Sequence, residues 1–346
     1  MSISRLKSEV TEDVGLHLTL SFRPHYLFYL RSCLSSYFFC PQLFTFNVLK
    51  MKYNAAVAVL ASAIAIANAA PTPTPERRLF GSDSANDMVD VINGELEADC
   101  KDVAVIFARG TFDSGNIGVW VGPQFRSALE DSIESLAFQG VDSTAYPATL
   151  GGYLSNGGPA SGAQSLADTV TQYASECPQA TIVVSGWSQG AGVAHQAISL
   201  MSSAVQQKVA ALVTFGDPNK LFRPNDKLPS NIQFHTECLT GTTLDPLCAD
   251  IPADFKFPTS LSDITRPFTA LPGLVKGAEE AAAAVSLVAR FPIQLAQSVG
   301  DFASTVTNKN KLQRLLLSPQ HFTYGNLGLT TTAAEFVAGL PQVAGK

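Results

Sequence analysis

The chain has 346 residues, of which 46% are apolar and only 15% charged. That composition excludes a largely disordered protein and provides for a sizeable buried core. The net charge of −6 excludes the basic footprint of a nucleic-acid binder, so no nucleic-acid partner is expected. In chain order, residues 1–50 come first, with an apolar, aromatic stretch over 18–45 interrupted by Arg23, His25 and Arg31. They read as a gene-model extension or disordered segment ahead of a true start at Met51, in preference to a second targeting element. Met51 and Lys52 then open a secretory signal over 51–69, with an apolar run from Ala55 to Ala67 and the small-residue pattern Ala67-Asn68-Ala69. Pro71-Thr72-Pro73-Thr74-Pro75 forms a stiff linker, and Arg77-Arg78 reads as a processing site, so residues 70–78 are expected to be removed. Loss of residues 1–78 takes away eight bases and four acids and leaves a net charge of −10. The expectation is a secreted, acidic, extracellular domain over 79–346. It keeps four cysteines, Cys100, Cys177, Cys238 and Cys248, enough for two disulfides in any of three pairings.

Within that domain, Val103 to Ala108 is a continuous apolar run, the mark of a strand buried on both faces. Residues 123–138 carry apolar residues at helical spacing behind Pro123 and predict a helix. Leu150 to Gly162 is Gly-rich and predicts a loop, and 163–176 predicts a second helix. Thr181–Ser185, Val209–Phe215 and Asn231–Glu237 predict further strands, with a helix from Gln189 to Met201. The alternation predicts an α/β fold, a three-layer sandwich around a mostly parallel sheet. Residues 253–316 break it: four prolines and an Ala-rich stretch predict a helical insertion, with Pro292 separating two helices, whose apolar residues either pack on the side of the domain or form a cap that walls an acyl channel, a lid opening at lipid surfaces being a special case.

The chemistry centres on Gly186-Trp187-Ser188-Gln189-Gly190, a G-x-S-x-G nucleophile elbow between a predicted strand and a predicted helix. A serine hydroxyl needs a histidine base and a carboxylate that holds the histidine's tautomer. In this architecture they follow in the order serine, acid, histidine. Of the three later histidines, His195 lies down the elbow helix and His235 inside a predicted strand. His321, in the loop-like Ser318–Gly325 segment, is favoured by position and order. Asp217, Asp245, Asp250 and Asp254 compete as the acid. Asp217 also suits a turn anchor, whereas Asp245 lies in a loop that a Cys238–Cys248 bridge would close and stiffen.

Several ordered motifs together resemble the fungal cutinases: Ala108-Arg109-Gly110-Thr111, Gly115-Asn116, Gly122-Pro123, Cys177-Pro178 through Ala191, Phe215-Gly216-Asp217-Pro218, Asp245-Pro246-Leu247-Cys248 and His321-Phe322-Thr323-Tyr324-Gly325. The resemblance spans roughly residues 98–251 and 318–330 and implies an α/β-hydrolase fold. It implies Ser188 as nucleophile, His321 as base, Asp245 as acid, an oxyanion hole from the N–H groups of Thr111 and Gln189, and the pairings Cys100–Cys177 and Cys238–Cys248. The implied function is a carboxylic-ester hydrolase with an acyl-enzyme intermediate, acting as a monomer on a cutin-like polyester or acyl ester, with a lipid or polymer surface as a further partner. No cofactor and no metal are implied. The chain departs from the family at Trp187, where Tyr is usual, and in the separation of 76 positions from Asp245 to His321. An acetylxylan-type or lipase-like esterase is the rival, and a non-catalytic secreted surface-binding module the alternative of another class.

Overall fold

The computed structural model describes residues 82–95, 98–300 and 302–345. The expected extension 1–50, signal 51–69 and linker 70–78 lie outside the described residues. Five strands form one parallel sheet: β1 Val103–Ala108, β2 Leu136–Gly140, β3 Thr181–Trp187, β4 Val209–Phe215 and β5 Gln233–Glu237, in the order β2-β1-β3-β4-β5. Every residue of β1, β3 and β4 is buried, because helices cover both faces.

The five longer helices are α1 Gly122–Glu130, α2 Ala160–Glu176, α3 Gln189–Leu200, α4 Ala278–Val299 and α5 Leu329–Ala338. The period of two along the strands sorts the core into two layers. Val103, Val105 and Phe107 of β1 pack with Phe125 of α1 and Val337 of α5. Ala104, Ile106 and Ala108 pack with Leu166 and Val170 of α2 and Val193 of α3. The chain order reverses between β1 and β3, so the crevice outside their carboxyl ends is the place where this class of sheet binds ligands.

Three expectations need correction. The helix expected over 123–138 stops at Glu130, and Leu136–Gly140 is strand β2. Ala137 and Phe138 face opposite core layers, a strand alternation that mimics helical spacing over so short a run. The loop expected over 150–162 holds a helix at Leu150–Asn156, capped by Thr149 Oγ1, which accepts from Gly152 N, and closed by left-handed Gly157. Pro292 lies inside the continuous helix α4. Phe291 and Leu295, on either side of it, are both buried in the same core, and that packing holds the two halves as one element.

Among the described residues of 253–316 the regular elements are helical: Leu261–Thr265, Arg266–Gly273, α4, Phe302–Val306 and Lys309–Gln313. Glu280, Ala284, Leu287, Phe291 and Leu295 form the buried stripe of α4. Full burial of Leu287, Phe291 and Leu295 stabilises the packed state by about 5–9 kcal/mol in total, as an upper estimate.

Disulfides join Cys100 to Cys177 and Cys238 to Cys248, with sequence separations of 77 and 10. Chain entropy assigns about 4–5 kcal/mol to the longer loop and about 3 kcal/mol to the shorter. Urea denaturation of Cys100→Ser/Cys177→Ser is therefore expected to show the larger loss of stability of the two double substitutions.

The loop leaving β1 is tied down by buried polar groups. Arg109 Nε donates to the Asp113 carbonyl at 3.1 Å, and the Tyr146 hydroxyl donates to the Arg109 carbonyl at 2.8 Å. Asp113 Oδ1 accepts from Val119 N at 2.8 Å, while its Oδ2 is buried without a partner. Burial pushes the Asp113 carboxyl up to about 8, against the pull of Val119 N–H and Arg109. In the unfolded chain the same group ionises at about pH 4. The folded state keeps a proton that the unfolded state has lost, so stability falls as pH rises from about 4 to about 8 and levels off above. Asp113→Asn keeps the shape of the neutral acid. Its melting temperature is expected to gain on the native protein's steadily between pH 5 and pH 8, and parallel curves would contradict the assignment.

Candidate active site

The elbow follows from local constraints. Ser188 joins the carboxyl end of β3 to the first turn of α3 with φ 58° and ψ −121°, a region a non-glycine residue enters only under strain. A Cβ on Gly186 would land on the Gly190 carbonyl, and one on Gly190 would land on the Ala108 carbonyl. Two glycines are therefore required for β3, α3 and β1 to approach this closely. Ser188 N donates to the Phe215 carbonyl at 2.9 Å, which fixes the turn to β4. Among the described residues, the Ser188 hydroxyl has no protein hydrogen-bond partner.

Thr111 lies just beyond β1, and Gln189 is the first residue of α3, where its N–H falls outside the helix ladder. Thr111 Oγ1 donates to Gln189 Oε1 at 3.1 Å, so the two sequence-predicted oxyanion residues are tied together. Both are buried. Phe112, in the positive-φ region, donates its N–H to the Ala148 carbonyl at 3.1 Å and braces the loop.

His321 Nδ1 lies 2.6 Å from Asp245 Oδ2, with both residues buried. The Tyr324 hydroxyl donates to the same oxygen at 2.6 Å, and Leu247 N donates to Oδ1 at 3.1 Å. Burial alone would raise the Asp245 carboxyl. The charge and hydrogen bond of His321, with the Tyr324 bond, outweigh it and hold the group below its ordinary value. Burial beside Asp245 drives the Tyr324 phenol well above its ordinary value, so it remains a donor. Trp187 stacks on the His321 ring at 5.3 Å between centroids, and its Nε1 donates to the His321 carbonyl at 3.2 Å. His321 Nε2 is buried and has no partner.

The other candidates fall elsewhere. Asp217 pairs with His195 at 2.8 Å and accepts from Thr214 Oγ1 at 3.0 Å and from Asn219 N at 2.8 Å. Burial again opposes ionisation, and the His195 bond with these donors holds Asp217 below its ordinary value. His235 pairs with Glu237 and stacks on Phe336. Asp250 and Asp254 are exposed.

Ser188, His321 and Thr111 line one cavity together with Tyr153, Phe291 and Leu295. The last two belong to α4. Phe291 also meets Phe112 of the β1 loop at 6.0 Å and Phe268 at 4.6 Å. The cavity measures about 20 Å³, the room of roughly one water. Sequence reasoning placed no role on Tyr324 or on the stacking of Trp187, whereas Phe291 and Leu295 were among the apolar insertion residues expected either to wall an acyl channel or to pack on the side of the domain. The offset of three between His321 and Tyr324 was the available signal for the first. For the wall residues the signal was the position of the insertion between Asp245 and His321, and which of its apolar residues reach the cavity is set by tertiary packing. No group of three or more metal-ligating side chains occurs among the described residues.

The family model described as Cutinase matches residues 99–257, a span that contains Ser188 and Asp245 and ends before α4 and His321. Cutinase CUT1 of Coprinopsis cinerea is 44% identical over 156 residues, covering 44% of this chain and 73% of that protein. Cutinase 4 of Emericella nidulans is 42% identical over 173 residues, covering 49% and 68%. Of other relatives, such as Cutinase cut1 of Trichoderma harzianum, this chain spans 53% of the length at 43% identity. With 44% identity across nearly three quarters of a relative, the chain belongs to the cutinase family of serine ester hydrolases.

Proposed function

We propose that Ser188, His321 and Asp245 form the catalytic triad of a secreted carboxylic-ester hydrolase working through an acyl-enzyme. The observation that carries this reading is the buried, partnerless Nε2 of His321 in the same cavity as the unpaired Ser188 hydroxyl. His321 Nε2 takes the Ser188 proton as the hydroxyl attacks the ester carbonyl. Asp245 holds the ring with Nδ1 protonated and stabilises the imidazolium that forms. The developing oxyanion is received by the N–H groups of Thr111 and Gln189, at the end of β1 and the start of α3. The imidazolium then protonates the leaving alcohol, and water repeats the sequence on the acyl-enzyme.

A cutin-like polyester or acyl ester suits the site better than an acetylated sugar. Leu150, Phe291, Leu295 and Leu315 make the cavity wall apolar, which favours an acyl chain over a polar carbohydrate. The two disulfides support an oxidising, extracellular setting, in keeping with the signal and linker expected over 51–78. A purely surface-binding role leaves the Asp245–His321 pair and the unpaired serine without purpose.

Four substitutions test this reading. Ser188→Ala is expected to abolish hydrolysis of soluble p-nitrophenyl esters with unchanged circular dichroism. Asp245→Asn is expected to lower kcat by about 10⁴-fold, because the histidine is left in the wrong tautomer. Asp217→Asn is expected mainly to lower the melting temperature, since its partner is His195. The reverse pattern between the two aspartates would exchange their roles. Phe291→Ala should enlarge the cavity and move preference along an acetate-to-palmitate ester series toward longer chains. An unchanged profile would place the acyl group elsewhere.

A further inference from the structure

Helix α4 is apolar on two opposite sides. Its buried stripe, with Phe291 and Leu295, walls the cavity that holds Ser188. On the side turned roughly half a revolution away run Ala278, Ala282, Val285, Ala289, Ile293 and Ala296, all exposed. That outer stripe contains no charged residue. Val285 and Ile293 are each 61% exposed, and nearby in the chain Leu274 is 42% exposed. Val285, Ile293 and Leu274 are three of the seven large exposed hydrophobics among the described residues. By length and composition α4 is apolar enough to cross a membrane, yet only 22% of its apolar window is buried.

Resting on the esterase reading of Ser188, we propose that the outer face of α4 docks on the surface of an undissolved, neutral acyl ester, and that docking draws α4 away from the cavity. The cavity is partly open to solvent but has room for only roughly one water between its walls, so an acyl chain seats fully only if a wall moves. In water, that movement exposes Leu287, Phe291 and Leu295 and is unfavourable. An apolar ester phase accepts the same side chains without that penalty and also covers Val285 and Ile293. The absence of charge on the outer stripe fits a neutral surface and offers nothing to an anionic or cationic one. The same helix thus joins the docking surface to the reacting serine across its own thickness.

The test uses the full chain with tributyrin below and above its solubility limit. The variants are Val285→Glu/Ile293→Glu and, separately, Ala289→Lys, all on the solvent side of α4. The native protein's rate is expected to jump by at least about tenfold when droplets form, as adsorption shifts the helix toward the open state. The variants are expected to match the native rate on dissolved tributyrin, to lose the jump, and to stay in the aqueous phase when droplets are spun out. A native rate that passes smoothly through the solubility limit overturns the proposal, as do variants that adsorb and jump like the native protein. Adsorption to neutral phosphatidylcholine vesicles without adsorption to tributyrin overturns the choice of occupant. Failure of the esterase reading is distinct: neither protein hydrolyses dissolved tributyrin, or Ser188→Ala hydrolyses it at the native rate.

Discussion

A carboxylate and an imidazole 76 residues apart share one buried hydrogen bond of 2.6 Å, between Asp245 and His321. Removing an ionised carboxylate from water is expensive unless its oxygens are satisfied. Here Oδ2 receives His321 and Tyr324, and Oδ1 receives Leu247 N–H. Much of the surrounding architecture serves that arrangement. The Cys238–Cys248 bridge closes the loop that carries Asp245. Trp187, one residue before the elbow serine, holds the His321 backbone and lies against its ring. The serine side and the histidine side are therefore joined through a residue that belongs to the elbow strand.

The helical segment between acid and base has both ends anchored at this pair. A connection of such length costs little more in closure entropy than a shorter one, because the cost grows only with the logarithm of loop length. Its stability has to come from burial, and Phe268, Leu287, Phe291 and Leu295 supply it by joining the same core layer as Phe125 and Phe322. The cavity wall and the domain core are thus continuous. A change that loosens one side chain of α4 acts on packing and on site access together.

The strands β1, β3 and β4 were legible because full burial writes an unbroken apolar run. Strand β2 was not, since Leu136 to Gly140 is short and its apolar residues also satisfy helical spacing. The helix at Leu150–Asn156 was hidden by Gly151 and Gly152, whose low propensity is overridden by the Thr149 cap and by burial of Leu150 and Tyr153. At the site, the elbow was legible as a motif, because two glycines and a strand–helix junction are local. The acid was not settled by the residues alone. Asp217 and Asp245 each lie beside a turn in sequence, and only the fold sends the first to His195 and the second to His321. The continuity of α4 through Pro292 was likewise a tertiary outcome, set by the burial of Phe291 and Leu295.

Closure of the cavity bears on chemistry as well as on entry. The alkoxide, oxyanion and imidazolium of an acyl transfer interact with their partners more strongly where water is excluded. A site widely open to solvent forfeits part of that gain, whereas one narrowed by α4 keeps more of it and admits substrate less readily. A mobile apolar wall resolves the conflict only if something other than water receives the uncovered side chains. An acyl chain lying against Phe291 and Leu295 would do so from within the cavity, and a bulk ester phase would do so from outside. Both replace water by hydrocarbon at the same helix. On the proposed docking of α4, access is governed by the balance of apolar contacts on the two faces of that helix, while the buried Asp245–His321 pair stays as it is.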